Sequence, residues 1–136
     1  GEDDPACLDL HHQAPDEKER AVGELITHGY GRDRLREELT ACAVLCANCH
    51  RREHHDVATE GLRGWVHTHK TTRGCARCDE DAPVALDCHH EGEKQETVAE
   101  LLADGRPYEA VRAEVARCTI LCANCHRREH FVEPDW

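Results

Sequence analysis

Apolar and polar positions follow two rhythms along this chain, and the order of the rhythms is itself repeated. Val22, Leu25 and Ile26, and later Val98, Leu101 and Leu102, recur at helical spacing, which predicts helices over 17–28 and 93–104 with Gly29 and Gly105 at their stops. Leu35 with Leu39, and Val111 with Val115, mark a second helix after each. The short stretches 8–12 and 86–90, and again 42–45 and 118–121, are apolar or alternating and predict strands. After each second strand the segment CHRREH closes as a helix, which sets His50 and His54, and likewise His126 and His130, one turn apart on one face.

This recurrence is an internal repeat. The ten residues LCANCHRREH stand at 45–54 and, letter for letter, at 121–130. Residues 17–42 match 93–118 at an offset of 76, and Asp9, His11 and His12 match Asp87, His89 and His90 at an offset of 78. The expected architecture is therefore α+β: a first unit over 1–56, a linker or lead-in arm over 57–74, and a second unit over 75–136.

Units of this size bury too little apolar surface to fold comfortably without disulfides, metals or partners. Ten cysteines and twelve histidines, against five aromatic residues and no methionine, make metals the first candidate. Paired CxxC spacing mixed with histidine suits metal binding in a reducing cytoplasm better than a disulfide framework. No apolar run reaches the length of a membrane span. A net charge of −11 argues against a nucleic-acid partner on its face, because phosphate binding draws on Lys and Arg. The seventeen basic residues, however, are fourteen Arg and three Lys in a very acidic chain, a profile that resembles proteins of salt-loving archaea. Net charge then reports habitat, and local charge must decide the partner.

Cys75, Cys78, Cys122 and Cys125 form two CxxC knuckles, the ligand set of a closed tetrahedral zinc site. The first unit holds only Cys46 and Cys49, and the offset would place the partners immediately before Gly1, so its knuckle is expected to be incomplete in the chain as given, clipped away or completed by another chain. Cys7, Cys42, Cys88 and Cys118 read as small buried residues. In the strand motif DxHH, Asp9 and His11 share one face and His12 takes the other, so His11 can join His50 and His54 in an open three-histidine site with His12 beside it, free to act as a base.

The order CxxC, DxHH, LCxxCHxxxH resembles the zinc-knuckle branch of the HNH endonucleases, with their ββα-metal fold, and the resemblance covers nearly the whole chain twice. It implies that His12 and His90 are general bases and that His11, His50 and His54, with His89, His126 and His130, hold a divalent catalytic ion: magnesium, manganese or zinc. It implies further that Asp9 and Asp87 orient the site or a neighbouring arginine, and that the cysteines hold a separate structural zinc. The family's middle asparagine falls near Ala41 and Arg117, neither of which is Asn, and Asn48 and Asn124 are the nearby substitutes.

Arg51, Arg52, Arg127 and Arg128, on the same helices as the ligands, are expected to contact phosphate. His28, His55, His67 and His69 lack counterparts in the other unit and read as surface residues, and 16–20 as a solvated helix start. The function these features imply is hydrolysis of phosphodiester bonds in DNA, by paired sites in one chain or in a homodimer. The alternative is a zinc-stabilised module that binds nucleic acid or protein without cutting.

Overall fold

The computed structural model describes residues 1–14, 21–92 and 96–132. The chain is α+β. Each half builds a two-stranded antiparallel sheet whose strands are far apart in sequence, with two helices inserted between them and a third following directly. In the first half β1 (Leu8–His12) pairs with β2 (Cys42–Cys46), Asp9 opposite Leu45 and His11 opposite Ala43. Helices α1 (Val22–Thr27) and α2 (Arg32–Thr40) intervene, and α3 (Ala47–His54) follows. In the second half β3 (Leu86–His90) pairs with β4 (Cys118–Cys122) in the same register, with α5 (Val98–Ala103) and α6 (Tyr108–Val115) between them and α7 (Ala123–His130) closing.

Local chemistry explains the boundaries. Thr97 and Glu100 cap α5 reciprocally, the threonine hydroxyl accepting from the Glu100 amide and the glutamate accepting from the Thr97 amide. Gly29 and Gly105 take φ near +70° and +65°, and Tyr30 and Arg106 then return their amides to the carbonyls of Leu25 and Leu101. The expected start at 16–20, and 93–95 of the second expected helix, lie outside the described residues.

The segment over 57–74, expected as a linker or lead-in arm, joins the core of the second half. It contains α4 (Gly61–Arg73), whose Val66 packs with Val98, Leu101, Val111 and Val115. Gly64 lies so close to the chain entering this helix that a Cβ there would meet the Thr59 carbonyl carbon at 2.5 Å, so the bend admits only glycine. A second cluster, of Leu86, Ile120 and Leu121 with Cys75, Cys122 and Cys125, fills the space between the β3–β4 sheet and the cysteine loops.

The halves meet through α3 and α7 in a reciprocal contact. The Asn48 amide donates to Asn124 Oδ1 and the Asn124 amide to Asn48 Oδ1, both at 3.1 Å. Each asparagine also donates through Nδ2, Asn48 to Glu80 and Asn124 to Glu2. These buried asparagines therefore join the halves.

Candidate metal centres

The cysteine cluster forms where two chain reversals meet. Cys122 ends β4 and caps α7, its Sγ accepting from the Cys125 amide at 3.4 Å, while the Cys75 thiol accepts from the amides of Cys122 and Arg77 at 3.2 and 3.5 Å. The ligand atoms of Cys75, Cys78, Cys122 and Cys125 all lie within 4.8 Å of one another. The Cys78 Sγ is 3.7 Å from that of Cys122 and 3.8 Å from that of Cys125. Tetrahedral zinc with bonds of about 2.3 Å requires sulfur separations of about 3.8 Å, so the four residues fit a structural zinc. Burial opposes ionisation of Cys75, but the amides of Cys122 and Arg77 outweigh it and lower its pKa to about 7. Burial raises Cys78 to about 11. A bound cation would supply the charge that lets the whole set ionise.

In the first half Cys46 caps α3 in the same way, accepting from the Cys49 amide at 3.5 Å, but no further cysteine joins the pair among the described residues. Of the four cysteines read as small buried residues, Cys7 is buried and Cys42, Cys88 and Cys118 are half-buried. The thiols of Cys42 and Cys118 donate to the carbonyls of Glu38 and Glu114.

The histidines form two further clusters, one per half. His11 comes from β1, and His50 and His54 from successive turns of α3; His89 comes from β3, and His126 and His130 from α7. In each trio the ligand nitrogens lie within 4.8 Å of one another, and His54 Nε2 stands 3.2 Å from His11 Nδ1. His50 Nδ1 donates to Asp9 Oδ2 at 2.9 Å, and His126 Nδ1 to Asp87 Oδ2 at 2.9 Å. A carboxylate on the far nitrogen fixes the tautomer and turns Nε2 toward the cluster, as it does for histidines that ligate metals.

Each of these aspartates is shared between the halves. Arg127 of the second half donates to both oxygens of Asp9 at 2.8 Å, and Arg51 of the first half donates to Asp87 Oδ1 at 2.5 Å. Burial opposes ionisation of Asp9 and Asp87, yet the hydrogen bonds from the arginine and the histidine outweigh it and hold both carboxyls below their ordinary value. Arg52 meets Glu80, and Arg128 meets Glu2 and Asp4. Arg51, Arg52, Arg127 and Arg128, expected to contact phosphate, have their guanidinium groups engaged by carboxylates here and tie one half to the other.

Compared with protein-family models, curated proteins and solved structures, the chain gives no match.

His12 and His90 do not stand free. His12 lies on the strand face opposite His11, largely buried against α2, with Nε2 2.6 Å from Glu38 Oε1; His90 Nε2 makes the same contact with Glu114. Glu38 is buried despite its charge, a cost that the contacts with His12 and Arg34 offset. Sequence reasoning passed over this pair, although Glu38 and Glu114 are identical at the repeat offset, a signal that self-comparison contained. His67 and His69 are half-buried rather than superficial, and His67 Nδ1 accepts from the Ala58 amide at 3.0 Å. No described helix is long and apolar enough to cross a membrane.

Proposed function

We propose that the chain is a metal-dependent hydrolase of phosphodiester bonds in DNA, with each half an HNH-type ββα-metal unit. The observation that carries this reading is the pair of three-histidine clusters, each assembled from strand and helix and each backed by a carboxylate on the outer nitrogen of its middle histidine. Three neutral imidazoles leave positions open on a divalent ion, unlike the closed four-cysteine set. Such an ion, magnesium, manganese or zinc, supplies charge stabilisation at the phosphate when bound.

The chain's own residues do the rest. Asp9 and Asp87 orient His50 and His126. Glu38 and Glu114 accept from Nε2 of His12 and His90, which leaves the Nδ1 lone pair of each to take a proton from water and places a carboxylate to stabilise the resulting imidazolium.

A second reading is favoured by one specific feature, the engagement of both proposed bases and all four helix arginines by carboxylates. On that reading the chain is a zinc-stabilised binding module. Supercoiled plasmid, incubated in high salt with magnesium or manganese, separates the two. The hydrolase converts it to nicked or linear form and loses this activity in the His50→Ala, His126→Ala variant. Activity surviving in the His12→Ala, His90→Ala variant would reject the assignment of the bases, and an inactive parent that retains one zinc per chain would favour the binding module.

A further inference from the structure

We propose that α4 and the cleft beneath it bind the phosphodiester backbone of nucleic acid, beside the second histidine cluster. The inference rests on the reading of nucleic acid as the partner, and the observations behind it are distinct from the metal clusters.

Among the described α-helices α4 alone contains no Asp or Glu, in a chain with 28 acidic residues. Arg63, His67 and Lys70 follow one another at spacings of four and three, which forms one stripe along the helix. Two adjoining hollows of about 430 Å³ each share Arg51, Arg63, His67, Lys70 and Asp87 in their walls, and one of them reaches His126. The cleft therefore runs from α4 to the second histidine cluster.

Among apolar side chains such as Val66, Leu86, Val98 and Leu102, the polar groups on its walls are mainly donors. With His67 Nδ1 accepting from the Ala58 amide, the neutral ring carries its hydrogen on Nε2. Lys70 is held by its bond to the Leu86 carbonyl at 2.7 Å and keeps further N–H groups. The Asp87 oxygens are taken by Arg51 and His126, and Asp56 is the other carboxylate, on the outer hollow. Arg51 in the cleft wall is held by Asp87, and away from the cleft Arg77 and Arg127 are held by carboxylates as well. Arg63, Lys70 and Arg73 have no carboxylate within ion-pair distance among the described residues, and Arg32 on α2 is the other such cation. A solvated cationic face would be expected to collect acidic neighbours in so acidic a chain. A face whose α4 cations have none within ion-pair distance suits an anion from outside, and a row of cations along a helix suits a repeating one.

The test uses the full chain with its zinc, no added divalent ion, and a fluorescein-labelled 30-base-pair duplex whose anisotropy is followed over a potassium chloride series. The Arg63→Gln, Lys70→Gln, Arg73→Gln variant is expected to bind about tenfold or more weakly, with the slope of log affinity against log salt smaller by roughly 3. Because Lys70 is mostly buried, the Arg63→Gln, Arg73→Gln variant provides a version that does not touch the core, with a slope smaller by roughly 2. Arg32→Gln is expected to bind like the parent.

Unchanged affinity and slope in both α4 variants would overturn the proposal, as would an equal loss in Arg32→Gln, which would reduce the effect to net charge. Binding through α4 without any cleavage would reject the hydrolase and leave this inference standing. Cleavage with an unaltered KM in the α4 variants would do the reverse.

Discussion

The two halves share a fold and a histidine site but differ in what lies behind the sheet. Ile120 on β4 is 4% exposed, whereas its repeat counterpart Val44 on β2 is 61% exposed. Val115 is 1% exposed and its counterpart Leu39 is 41%. Ile120 is covered by the cysteine loops around Cys75 and Val115 by Val66 of α4, and no described element covers Val44 or Leu39 in the same way. Among the described residues the same apolar pattern therefore lies in a core in one half and is exposed in the other. Pattern marks which face wants burial, and only a neighbouring element delivers it.

The largest expected effect breaks this comparison directly. Chelation, or Cys122→Ser, should unfold the second half, because closed thiolate sites contribute about 10 kcal/mol or more in small domains. Zinc analysis with circular dichroism is expected to show one tightly held zinc and loss of structure on its removal. A chain that keeps its ellipticity and melting temperature after complete zinc removal would contradict this account.

Core substitutions give the next largest difference. Ile120→Ala should cost about 2–5 kcal/mol in urea unfolding, and Val44→Ala about 0.5 kcal/mol or less. Equal costs would mean that the first sheet face is covered in solution.

A smaller effect crosses between the halves. Arg127 acts on Asp9 and hence on His50, so Arg127→Gln is expected to weaken cobalt binding at the first unit's histidines by about tenfold. Arg51→Gln should do the same at the second. Each is read in a background where the other cluster has been removed by two alanine substitutions. Loss at the site of the unit that carries the substitution would show a loosened interface instead.

The smallest effect is acid sensitivity. Asp9 and Asp87 are held below their ordinary pKa, so their contribution to stability is complete above the unfolded value and is lost as pH falls through the lower folded one. The melting temperature is expected to drop below roughly pH 4, and less steeply in the Arg51→Gln, Arg127→Gln variant. An identical acid limb in parent and variant would remove the arginines from that balance.

Much of this was legible in the residues. Spacing alone placed the strands 8–12 and 86–90, the helices carrying His50 and His126, and the four-cysteine set, because pleat and helix periods constrain which neighbours share a face. The parts that were not legible depend on contacts between distant segments. Glu38 behind His12, the arginines crossing between halves, and the packing of α4 against the helices of the second half each join positions whose separation has no period.

By itself the sequence determined which side chains can hold a metal: the thiolates, imidazoles and carboxylates are local in chemistry and repeat at a readable interval. Only the tertiary structure decided what those groups are tied to. Charge pairing depends on distances of a few ångströms across an interface, and burial depends on which element happens to lie on top.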